Sequence, residues 1–106
     1  MKHNLKIGPF DWELDDQVNV KNMDGNLGLC DYENLKITIK EGLCSDIMRA
    51  TVLHELGHAF FASAGFDPKE EERIVDIMAS QMLNFIKTNK KFFKEYFIDE
   101  DSNTLS

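Results

Sequence analysis

Three residues in the middle of the chain have types and spacing that suit metal chemistry: His54, Glu55 and His58, in the run His54-Glu55-Leu56-Gly57-His58. Residues i and i+4 of a helix lie on one face, with Cβ atoms about 5–6 Å apart. Two imidazoles so placed can bind one Zn²⁺ at about 2.0–2.1 Å each. Glu55, next to the first histidine, is the expected general base. It would take a proton from a water in the open metal position as that water attacks a carbonyl. The alternative is a helix with two ordinary surface histidines. It fits the neighbours poorly, because Val52, Leu53, Leu56, Ala59, Phe60 and Phe61 are apolar. Unpaired His and Glu in such a setting cost roughly 1–3 kcal/mol each in lost hydration.

A catalytic zinc site takes three protein ligands and leaves one position open. His3, the remaining histidine, is far off in sequence, so the third ligand is expected among Glu70, Glu71, Glu72 and Asp76. Successive helical residues turn by about 100°, so one of the three glutamates should face the first helix squarely. Glu70 fits a helix cap, and Glu70 and Glu71 fit a solvated first turn. Glu72 has Asp76 one turn further on, and Ala79 and Leu83 continue that stripe. The spacing predicts Glu72 as metal ligand and Asp76 as the acceptor of a ligand histidine's outward N–H, fixing its tautomer. Asp76 as the ligand itself is the rival assignment. Tyr32, His3 and Tyr96 are candidate oxyanion donors, and nothing in the sequence selects among them.

These residues need elements to hold them, and the chain divides in two. Residues 1–44 are rich in Gly, Asn and Asp between short apolar runs, a strand-and-turn pattern with a turn signal at Asp24-Gly25. In Leu35-Lys36-Ile37-Thr38-Ile39-Lys40, Leu35, Ile37 and Ile39 share one face of a strand. A partner strand is expected at 28–32, and weaker strands at 5–7 and 12–14. From Ser45, a candidate cap, the pattern is helical to about 64, where Gly65 marks a stop. Asp67, Pro68 and Glu70 form a second helix start, and that helix should reach about 88. Residues 90–98 suggest a short third helix with Phe92, Phe93, Tyr96 and Phe97 on one face. Gly57, inside the first helix, predicts close approach of a neighbouring element. The tail 99–106 is polar and expected to fray.

Composition narrows the field further. One domain accounts for 106 residues. The net charge of −7 disfavours nucleic-acid backbones and anionic membranes. No window approaches 18 consecutive apolar residues, and the N-terminus lacks an apolar signal-peptide run. Two cysteines, Cys30 and Cys44, read as plain buried thiols of a reduced cytoplasmic protein. The lysines at 87, 90, 91 and 94 read as a solvated face.

The HELGH run, a short loop, then a second helix with Glu72 and an acid four residues on resembles the gluzincin branch of zinc metallopeptidases. The order of Gly28-Leu29-Cys30-Asp31-Tyr32, the strand at 35–40, HELGH and the stretch 72–83 is most similar to ImmA/IrrE-type and small phage-encoded metallopeptidases. The likeness covers residues 28–86. It departs from the larger members at Asp76, where they tend to have Asn, and in lacking a Pro after the second helix. The resemblance implies an α+β, minimal zincin-like fold: a small antiparallel sheet of about three strands on the HExxH helix, then a ligand-bearing helix and a short C-terminal helix. It implies one Zn²⁺ per chain and hydrolysis of a peptide bond in a protein substrate. It also implies an extended peptide bound along an edge strand, for which Leu35-Lys36-Ile37-Thr38-Ile39-Lys40 is the candidate. The alternative function is a metal-holding binding or regulatory module of a phage or mobile element, without peptidase activity. The oligomeric state is left open.

Overall fold

The computed structural model describes residues 1–19, 21, 23, 25–65 and 68–98, and for 68–70 the backbone alone. The cap at Asp67, the side chain of Glu70, the turn residue Asp24 and the tail 99–106 lie outside the described residues. The fold is α+β. Strands β1 (Lys2–Ile7), β2 (Phe10–Val18), β3 (Gly28–Asp31) and β4 (Lys36–Lys40) precede helices α1 (Ser45–Ser63), α2 (Pro68–Thr88) and α3 (Lys90–Phe97). Cys44, one residue before the expected Ser45, occupies the N-cap of α1, without a side-chain cap.

The sheet has four strands in the order β1-β2-β4-β3, where about three antiparallel strands were expected. It is mixed. β1–β2 and β3–β4 are antiparallel hairpins, and β4 runs parallel to β2, with Glu13 opposite Lys36 and Leu14 opposite Ile37. The expected edge strand at 35–40 is therefore an interior one, and the edges are β1 and β3. Ile37 and Ile39 are fully buried, while Lys36, Thr38 and Lys40 are half-buried on the opposite face. The two lysines mark the open face of the sheet, where their stems can lie along it, rather than a protected edge. Alternation alone cannot tell the two apart, because any strand with one covered face shows it.

Helix α1 lies on the covered face. Ile7, Trp12, Leu14, Ile37, Ile39 and Ala59 form the core, and Val52, Leu56, Leu43 and Met48 pack against it. Burial of such side chains, worth about 25 cal/mol per Å² of apolar surface, fixes the rotation of α1. Helix α2 packs on α1, and α3 leans on the end of α2. Cys30 is half-buried and Cys44 exposed, so only the first approaches the buried thiol expected of both.

At Gly57, α1 and α2 come close together. A Cβ there would sit 3.0 Å from Cγ1 of Val75, which is itself buried. Gly57→Val should cost about 2 kcal/mol by overpacking this contact. That corresponds to a fall in Tm of roughly 10 °C in a domain of this size. Thermal unfolding followed by circular dichroism checks it, and an unchanged Tm would show that the helices can separate freely at this point.

Candidate metal centre

His54 and His58, one turn apart on α1, are brought together with Glu72 of α2 in an open cleft of about 740 Å³. The cleft is walled by β3 on one side and by α2 on the other. His54 Nε2 and His58 Nε2 are 3.0 Å apart. The Glu72 carboxylate spans both, with Oε1 at 3.0 Å from His54 Nε2 and Oε2 at 2.9 Å from His58 Nε2.

The outward nitrogens explain the inward ones. His54 Nδ1 lies 2.9 Å from Asp76 Oδ1, and His58 Nδ1 lies 2.7 Å from Glu71 Oε1. A carboxylate only accepts, so each Nδ1 is placed to donate to the acid behind it. In that tautomer of the neutral rings both Nε2 atoms present bare lone pairs to each other and to the Glu72 oxygens. Acceptors converging in this way need a cation among them. The set of two imidazole nitrogens and a carboxylate is one that Zn²⁺ takes. The separations of 2.9–3.0 Å approach the ~3.3 Å edge of a tetrahedron whose corners lie about 2.0 Å from its centre. This His/His/Glu group can therefore bind a metal ion.

Glu55 is 7% exposed and lines the same cleft. Gly28 of β3 lies against it: a Cβ at Gly28 would meet Cγ of Glu55 and Cγ2 of Thr51, both at 2.9 Å. Only a residue without a side chain lets β3 run this close to α1. Burial pushes the Glu55 carboxyl above its ordinary value, and the two imidazoles act in the opposite direction.

Glu71 is the residue that the sequence reading placed in solvent. It is 1% exposed, and its Oε1 accepts from both His58 Nδ1 and the Tyr32 hydroxyl, each at 2.7 Å. Its other oxygen, Oε2, has no partner among the described residues. Glu71 and Glu72 are neighbours 100° apart, yet both reach His58, one at each ring nitrogen. The available signal was the stripe Glu71, Val75, Ala79 at i, i+4, i+8, all buried against α1. Tyr32 is held in the β3–β4 turn, where Asp31 Oδ1 accepts the backbone N–H groups of Glu33 and Asn34.

The other candidates fall elsewhere. His3 lies on edge strand β1 beside Asp16, and Tyr96 is exposed on α3. Tyr32 does line the cleft, with its hydroxyl donated to Glu71. Burial, then that carboxylate, raise its pKa and keep the phenol protonated. Cys30 also lines the cleft, but burial and then the Glu55 carboxylate push its thiol up to about 12. It is a neutral thiol at pH 7. No family model matches this chain, and no curated protein or solved structure matches it either.

Two outcomes follow from this geometry. Glu71→Gln should weaken zinc affinity about 10–100-fold by loosening His58, with a smaller loss for Tyr32→Phe. Competition with a chromophoric chelator measures both, and wild-type affinity in Glu71→Gln would show that His58 needs no such partner. The second concerns pH. The folded-state pKa of Glu55 lies above its ordinary 4.5, so the folded chain holds that proton to higher pH than the unfolded one. Stability of the metal-free protein should then fall as pH rises through and above about 4.5. Metal-free Glu55→Gln should melt above metal-free wild type at pH 7, with the gap closing below about pH 4.

Proposed function

We propose that the chain is a zinc-dependent endopeptidase that hydrolyses a peptide bond of a protein substrate in a cytoplasm. The observation that carries this reading is the convergence of His54 Nε2, His58 Nε2 and Glu72 beside a buried Glu55 in an open cleft. The resemblance to ImmA/IrrE-type metallopeptidases over residues 28–86 supports it. In this reading His54, His58 and Glu72 hold the ion, and Asp76 and Glu71 orient the two imidazoles from behind. A zinc ion held there supplies Lewis acidity, polarising a carbonyl and making water nucleophilic near neutral pH.

Glu55 is the proton carrier. Its burial raises its basicity, which suits a group that must take a proton from water and later give it up. The substrate would add as a strand to β3, whose outer edge pairs with no strand among the described residues and which walls the cleft. Backbone hydrogen bonds to β3 would then hold the scissile carbonyl over the site, independently of side-chain sequence.

Protein purified without chelator should contain one zinc per chain by mass spectrometry of the metal. His58→Ala should lose it. Glu55→Gln should retain the metal while cleavage of a protein substrate falls by at least about 100-fold. A preparation without metal would overturn the proposal. Retained metal with a partner bound but uncut, equally by wild type and Glu55→Gln, would make the chain a binding module instead.

A further inference from the structure

Two polar bridges tie α1 to α2 along the cleft, and between them its lining changes character. His54 Nδ1 meets Asp76 at 2.9 Å, and two turns nearer the start of α1, Asp46 meets Lys87 Nζ at 2.7 Å. The interval from Asp46 to His54 covers about 12 Å of helix. There the cleft is lined by Ile47, Ala50 and Thr51 of α1 and by Ala79 and Ser80 of α2, with Leu27 leading into β3 opposite. None of these carries a charge. Both hydroxyls are donated within their own helices, Thr51 Oγ1 to the Ile47 carbonyl at 2.7 Å and Ser80 Oγ to that of Asp76 at 2.9 Å. Ile47 and Leu27 are 46% and 43% exposed, so apolar surface stands uncovered in the recess.

Strand β3 determines what can reach it. Gly28 pairs with Ile39 and Cys30 with Ile37, and the Lys40 N–H donates to the Leu27 carbonyl. The hydrogen-bonded pairs toward β4 therefore fall at Leu27 and Leu29. Gly28 and Cys30 turn their N–H and C=O groups to the other edge, which pairs with no strand among the described residues. A residue added opposite Gly28 points its side chain to the same face of the sheet as Gly28. That face looks onto α1, since a Cβ at Gly28 would touch Thr51 and Glu55. Such a side chain enters the cleft beside His54, on the side of the recess.

We propose that this recess is the specificity pocket of the cleft, taking one large apolar side chain (Leu, Met or Phe) from the substrate residue that pairs with Gly28. The proposal rests on the peptidase reading of the metal centre. The short side chains of Ala50 and Ala79 leave the room, Ile47 and Leu27 supply apolar contact, and the Asp46–Lys87 bridge closes the far end. A charged side chain gains nothing there. Asp46 is already engaged by Lys87 and Arg49, and the rest of the recess offers no partner for the hydration lost.

N-acetyl amino-acid hydroxamates, whose head group chelates zinc, test the pocket without requiring turnover. On the zinc-loaded protein, calorimetry should find the Leu and Phe compounds about 10–100-fold tighter than the Gly compound, as burial of such a side chain predicts. The Lys compound should bind no tighter than Gly. Ala50→Phe fills the recess and Ile47→Lys places a charge in it. Both positions are exposed, so zinc content and the circular dichroism spectrum should hold while the Leu preference disappears. Cleavage of β-casein, mapped by mass spectrometry, tests the register. Wild-type cuts should share Leu, Met or Phe at one fixed position relative to the broken bond, and Ala50→Phe should change that residue to Gly or Ala. Equal binding of the Gly and Leu compounds overturns the pocket. So does a preference that survives both substitutions, or a set of cuts with no shared apolar position. A Leu preference without any cleavage supports the pocket and overturns the peptidase reading alone.

Discussion

The structure depends on how two imidazole rings are turned. Asp76 and Glu71 accept hydrogen bonds from Nδ1 of His54 and His58, and in doing so point both Nε2 lone pairs into one small volume that the Glu72 carboxylate also faces. Glu55 adds a fourth carboxyl group nearby. A cluster this rich in acids repels itself in a partly desolvated cleft unless a cation sits within it. The rest of the fold serves this orientation. All three acids that touch the histidines come from two consecutive turns of α2, so the distance between α1 and α2 sets every contact at once. Gly57 against Val75 allows that distance, and the sheet under α1 fixes which face the histidines present.

The site was more legible in the sequence than the sheet that supports it. His54 and His58 at i, i+4, and Glu72 with Asp76 one turn beyond, are local patterns in which helical periodicity translates directly into geometry. The close approach at Gly57 was readable for the same reason. Glu71 was not, because an acid near a helix start normally needs no partner beyond water and the helix dipole. Only its place on the Val75–Ala79 stripe distinguished it. That stripe became meaningful once α2 was known to present two faces to the site, one to α1 and one to the cleft.

The sheet was misread for a different reason. Hydrophobic alternation reports which face of a strand is covered and says nothing about which strand lies beside it. The strand at 35–40 looked like an edge on account of Lys36 and Lys40. Its interior place comes from a long-range parallel pairing with β2, which no local residue pattern encodes. Cys44 was expected inside because thiols commonly are. It sits instead at the cap of α1, outside the core.

The mixed sheet also has a consequence for assembly. Two hairpins, β1–β2 and β3–β4, close over short loops and can each form early. The one strand contact that joins them is the parallel seam between β2 and β4. Parallel pairing between distant segments forms slowly, because the loop entropy is lost before the contacts are gained. The sheet is thus two ribbons joined along one line. The ribbon that walls the cleft, β3–β4, joins the other through β4, and Tyr32 in its turn meets Trp12 edge-on at 6.5 Å. Among the described residues, none of the β1–β2 ribbon lines the cleft; the ribbon acts as a buttress whose outer strand and turn can absorb insertion or sequence drift without reaching the cleft.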